Sequence, residues 1–127
     1  MTSLHSDNTA SKTQNTAPDQ WADIGVNLTD RQFHDDRETV IERAASAGVA
    51  WQLITGTNID ESRAAIALAA QHSSLFATAG LHPHSARFYS ATLEKELREL
   101  LAHEQTRAAG EMGLDFNRDF SPRADQE

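Results

Sequence analysis

The sequence predicts an α/β protein built on parallel strands, and two observations carry that expectation. Short apolar runs alternate with amphipathic stretches along the chain, at roughly the 30-residue spacing of a βαβ unit. Each apolar run is followed at once by small, polar or ionisable residues, and in parallel α/β folds the ligand site lies beyond the carboxyl ends of the strands. Helical crossovers oblige neighbouring strands to run parallel, with both faces of the sheet covered.

The elements follow in order. Residues 1–20 are rich in Ser, Thr, Asn and Asp and nearly free of large apolar side chains. They cannot bury enough surface to offset chain entropy, so a disordered polar extension is expected there. The ordered domain is expected over 21–127. "WADIGV" (21–26) reads as the first strand. In "DDRETVIERAASAG" (35–48), Val40, Ile41, Ala44 and Ala47 share one helical face. Asp35 and Glu38 stand at capping-box spacing, and Gly48 is a natural stop.

"VAWQLIT" (49–55) is the second strand and "NIDESRAAIALAAQH" (58–72) the second helix, capped by Thr57 or Asn58. "SLFATAG" (74–80) is the third strand. "ATLEKELRELLAHE" (91–104) is the third helix, with Leu93, Leu97, Leu100 and Leu101 along one face, and "TRAAGEMG" (106–113) is the fourth strand. The expectation is therefore about four parallel strands with three intervening helices. Trp21 and Trp51 border or enter strands and are expected to pack rather than to stack on nucleobases.

Composition narrows the classes of function. The 127 residues carry 19 acidic against 11 basic side chains, a formal net charge of −8. That excludes a broad basic nucleic-acid surface, whose affinity comes from neutralised phosphates. An enzyme that grips phosphate through bound metal survives the objection, because the ion is itself the largest local positive charge. There is no cysteine, hence no disulfide and no thiolate metal site. The start of the chain lacks the basic and apolar regions of a signal peptide, and no apolar run reaches membrane length. A cytoplasmic location without a membrane partner is expected.

The chemistry-bearing residues cluster at the strand ends. Asp23 lies inside the first strand, with Asn27 and Thr29 after it. Thr55 to Asn58 follow the second, Gly80, His82, Pro83 and His84 the third, and Gly110, Glu111, Gly113 and Asp115 the fourth. Glu111, flanked by glycine, reads either as a metal or catalytic carboxylate or as half of a structural ion pair. His82 and His84 suit metal or phosphate, or else plain surface. Asp23 faces either the sheet interior or the helices, where it would bind metal or orient backbone. Asp115 is a supporting acid or a turn residue. "TGTN" is a helix cap whose N-terminus also attracts anions. His34, His72 and His103 fall near helix ends and read as surface, and His5 lies in the extension.

"DIGVNLT", "ITGTN", "GLHPH" and "GEMGLDF", in this order and spacing, resemble the TatD family of metal-dependent hydrolases, the TatD-related DNases, from about Trp21 onward. The resemblance implies a (β/α)8 TIM-type barrel, of which this chain would be the N-terminal half, the C-terminal half being absent. It implies hydrolysis of phosphodiester bonds, typically as a magnesium-dependent deoxyribonuclease working from the 3′ end of single-stranded DNA, with one or two Mg²⁺ ions. On that basis Glu111 is expected to bind metal and serve catalysis. Asp23 is expected at the first-strand metal position, and His82 beside the substrate phosphate, with His84 and Asn27 as further substrate contacts.

The pattern departs from the family in two respects, the four strand signals where a closed barrel has eight and the first-strand motif. Much of the family carries D-x-H-x-H on the first strand, whereas Gly25 and Asn27 occupy the histidine places here. One metal position is therefore expected to be weak, with Asn27 able to offer an oxygen. A relative of the same fold acting on an ester or amide, such as a D-aminoacyl-tRNA deacylase, would carry a similar site. A third reading is an inactive or binding fragment: one or two carboxylates fall short of a tight site, and unpaired outer strands would invite self-association.

Overall fold

The computed structural model describes residues 20–127; the extension expected over 1–20 falls, apart from Gln20, outside the described residues. The main elements are β1 (Trp21–Val26), α1 (Arg37–Ser46), β2 (Val49–Ile54), α2 (Ile59–Ala69), β3 (Leu75–Ala79), α3 (Ala91–Leu101), β4 (Thr106–Ala109) and a short α4 (Arg123–Gln126). Two 3-10 segments, Arg31–Phe33 and Pro83–Phe88, follow β1 and β3.

The strands form one parallel sheet in the order β1-β2-β3-β4. Sequential order with right-handed crossovers stacks successive helices on the same side, as in the wall of a barrel. The core lies between that face and the helices. Ile54 and Leu75, almost wholly buried, belong to one cluster with Ile41 of α1 and Ile66 of α2. Ala65, Ala69 and Ala77 in the same cluster are small enough to let α2 sit close to the sheet. Leu100 brings α3 against the cluster's margin, so the leucine face expected there is half-buried rather than central.

Helix ends follow local chemistry. Asn58, in extended conformation, accepts a hydrogen bond from the Glu61 amide and caps α2. Gly48, at a φ of 92°, ends α1 in the left-handed region that favours glycine. The capping box expected from Asp35 and Glu38 does not form. The helix begins one residue later, after Asp36, whose side chain makes no cap bond, and the Asp35 carboxylate turns instead to His34 Nδ1 at 3.0 Å.

The tryptophans depart from expectation as well. Trp21 and Trp51 are 65% and 46% exposed. Side chains alternate along a strand, so the burial of Gln52 and Ile54 turns Trp51 to the sheet face away from the helices. Trp21 starts β1, an edge strand exposed along almost its whole length. His72, expected at the surface, is drawn in beside Glu38 at 3.4 Å. Among the described residues no helix is long and apolar enough to cross a membrane.

Candidate active site at the strand ends

Backbone hydrogen bonds bring three strand ends to one place. The Glu111 amide donates to the Gly56 carbonyl at 2.7 Å, and the His82 amide donates to the Thr57 carbonyl at 2.8 Å. The side chains that follow β3 and β4 are thus both anchored to the end of β2. The Gly110 amide continues the β3–β4 ladder to the Ala79 carbonyl at 2.9 Å. Behind them, the buried Thr78 hydroxyl accepts from the Gly56 amide, and the fully buried Ser62 hydroxyl accepts from the Gly80 amide.

Close approach makes Gly56 and Gly80 necessary. A Cβ on Gly80 would overlap the Gly110 carbonyl group and lie 2.7 Å from the Glu111 amide nitrogen. A Cβ on Gly56 would run into the Ser62 hydroxyl and lie 2.5 Å from the Thr78 carbonyl oxygen. The cradle under Glu111 is therefore made of bare backbone.

On this base the Glu111 carboxylate, half exposed, stands with Oε1 3.5 Å from His82 Nε2. Glu111 lines a cleft of about 360 Å³ with Ile24, Gly25, Asn27, Thr55 and Thr78. Asn27 and Thr55 also line a neighbouring polar cleft with Thr57, Asn58 and Arg31. The two histidines stand edge to face, their ring centroids 4.2 Å apart. His84 Nε2 in turn meets Asp115 Oδ2 at 2.7 Å.

Asp115 is the most heavily bonded acid of the site. It accepts from His84 and from the Arg118 and Asn117 amides, and its Oδ2 forms an ion pair with Arg118 Nε at 2.7 Å. His84 first, then the Arg118 amide, hold its carboxyl down at about 2, against the smaller opposing effect of burial. Asp115 thus bonds the His84 ring and its own turn.

Asp23 is not brought to Glu111. It lines a separate cleft with Val40, Arg43 and Ala44 of α1, and pairs in register with Gln52, whose side chain is buried. Of the two orientations expected for Asp23, the structure has the helix-facing one: the register of β1 shifts between Asp23 and Val26, so simple alternation does not carry Asp23 to the cleft that Glu111 lines.

The donors in the Glu111 cleft are hard oxygens, of the kind magnesium takes one or two at a time while keeping several waters. Glu111 and Asn27, which both line that cleft, are the residues whose oxygens could contribute to holding such an ion. Among the described residues no group of three or more His, Asp or Glu side chains could hold a metal by itself.

Sequence reasoning missed Ser121 and Gln126. The fully buried Ser121 hydroxyl donates to the His84 carbonyl oxygen at 2.9 Å and accepts from the Arg87 amide. The Gln126 side chain accepts from the Asp115 amide at 2.8 Å and donates to the Ser121 carbonyl oxygen. Together they fasten the 115–126 segment to the turn after β3. No local pattern announces the Ser121 contacts, because their partners lie 34 and 37 residues away.

Comparison with known proteins adds the following. The sequence profile of the family described as TatD related DNase matches residues 22–127. The 3′-5′ ssDNA/RNA exonuclease TatD of Escherichia coli (strain K12) is 51% identical over 105 residues, covering 83% of this chain and 40% of that protein. The protein of the same name from Pantoea sp. (strain At-9b) is 54% identical over 106 residues, 83% of this chain and 41% of its own. A TatD-family hydrolase structure from Entamoeba histolytica superposes with a TM-score of 0.76 at 28% identity, covering 84% of this chain and 42% of that one. A TatD homologue from Escherichia coli K12 does so with a TM-score of 0.73 at 29% identity, with the same coverage. The chain spans about 40% of the length of the curated relatives it matches, and its four strands correspond to the N-terminal part of their TIM-type barrel.

Proposed function

This chain belongs to the TatD related DNase family, and from that premise we propose that it forms the phosphate-binding corner of a 3′-5′ exonuclease acting on single-stranded DNA or RNA. The supporting observation is the Glu111–His82 pair, one carboxylate and one imidazole 3.5 Å apart, the carboxylate lining an open cleft. The relatives named as ssDNA/RNA exonucleases supply the substrate class.

The net charge of −8 leaves the grip on nucleic acid to local contacts. Glu111, with the Asn27 oxygen beside it, would hold a divalent ion, magnesium being the ion their hard oxygens suit. Such an ion, when bound, polarises the phosphodiester and lowers the pKa of an attacking water. His82 donates from Nε2 to a non-bridging phosphate oxygen. Thr55 and Asn27, shared between the two clefts, would give the nucleic acid polar contacts beside Glu111.

The test joins residues 21–127 to the remaining part of the 51%-identical Escherichia coli relative and supplies 5′-labelled single-stranded DNA with Mg²⁺. Progressive shortening from the 3′ end is expected. A folded fusion that leaves DNA intact but releases D-amino acids from tRNA would replace this reading with the deacylase one.

A further inference from the structure

The chemistry of His82 depends on which ring nitrogen carries its proton, and the surrounding bonds decide that. His82 is the N-cap of the 3-10 segment Pro83–Phe88. Its Nδ1 accepts from the His84 backbone amide at 3.2 Å. An imidazole nitrogen that accepts carries no hydrogen, so neutral His82 keeps its proton on Nε2, the atom 3.5 Å from Glu111 Oε1. Pro83, at the first position of the turn, has no amide to compete for Nδ1 and holds φ ready for the helical turn.

His84, which supplies that amide, is itself fixed from the other side. A carboxylate only accepts, so His84 presents Nε2–H to Asp115. Phe120 closes on the ring edge to face at 4.6 Å between centroids, and the Ser121 hydroxyl donates to the His84 carbonyl oxygen. Asp115 is in turn held by Arg118 and Gln126.

We propose that Asp115 and His84 are positioning residues that lock His82 as the Nε2–H tautomer, so that it acts at the phosphate as a hydrogen-bond donor and not as a base. The chain of influence runs from the Asp115 carboxylate through the His84 ring and backbone amide to His82 Nδ1. It accounts for the spacing in "GLHPH": the first histidine needs the amide of the second, and the proline between them removes the alternative donor. The proposal deepens the exonuclease reading and rests on it for the identity of the phosphate. The tautomer itself is a property of this chain alone.

The test is ¹⁵N NMR of the histidine rings in the 127-residue chain at neutral pH. For wild-type His82, Nδ1 is expected at an unprotonated shift and Nε2 at a protonated one, as a single tautomer. Asp115→Ala is expected to lose that single tautomer. Asp115→Asn, which keeps an acceptor oxygen for His84 Nε2–H, is expected to retain it. Amide spectra of each variant report folding separately.

A proton on Nδ1 of wild-type His82, or a mixture of tautomers, overturns the proposal without needing any variant. Unchanged His82 shifts in a folded Asp115→Ala chain overturn the part given to Asp115. Failure of the fusion to degrade DNA would instead count against the exonuclease reading and leave the tautomer result standing.

Discussion

The Glu111 carboxylate and the His82 imidazole stand 3.5 Å apart because their backbone amides donate to consecutive carbonyls, those of Gly56 and Thr57. The end of β2 is thus a ruler that fixes the spacing of two groups delivered by β4 and β3. Several consequences can be measured.

Gly80→Ala should destabilise the fold by about 1–3 kcal/mol, the usual cost of overpacking a tight site, because the new methyl group overlaps the Gly110 carbonyl. Gly25→Ala is the control. Nothing lies within 4 Å of its Cβ position, so it should be close to neutral. Urea midpoints of the two variants check this, and equal midpoints would show that the strand ends do not meet so closely.

The Asp115 carboxyl sits at about 2 in the folded chain, below the ordinary aspartate value of about 3.9. A folded-state pKa lower than the unfolded one contributes stability above the unfolded value, and that stability fades as pH falls through the folded value. Wild type should therefore be more stable than Asp115→Asn at pH 5 and above. The gap should narrow as pH falls from about 4 towards 2. Thermal unfolding of both proteins across that range is the check, and a gap that widened on acidification would contradict the arrangement.

β1 and β4 are the outer strands of the described sheet, and Trp21 and Ile24 on β1 are 65% and 71% exposed. Exposed apolar edge strands template pairing with other chains. The 127-residue chain by itself should sediment with a mass that rises with concentration, and Ile24→Lys should reduce the rise. A wild-type chain that stayed monomeric at every concentration would contradict this.

Much of the fold was legible because periodicity and punctuation agree. The β1 run "WADIGV" coincides with the observed strand, and Asn58 and Gly48 bound their helices as their chemistry dictates. Glu111, His82, His84 and Asn27 each follow a strand in the sequence, and the structure gathers them at one end of the sheet. Two kinds of information were not local. The shift in register within β1, which decides between the two orientations open to Asp23, is encoded by no residue pattern. The bonds from Ser121 to the histidine turn, and from Gln126 to Asp115 and Ser121, run through single polar side chains, which hydrophobic patterning does not register. The cap of α1 failed for a nearer reason, since Asp35 found His34 first.

The most direct measurement of the central claim is the rate at which the fusion of residues 21–127 with the Escherichia coli partner shortens single-stranded DNA, with Glu111 and with Glu111→Gln, in Mg²⁺ and after chelation. Removing the carboxylate or the metal should each lower the rate by about 100-fold or more, with the secondary structure of the fusion unchanged. A Glu111→Gln fusion that kept most of its Mg²⁺-dependent activity would show that the carboxylate beside His82 is not part of the metal site.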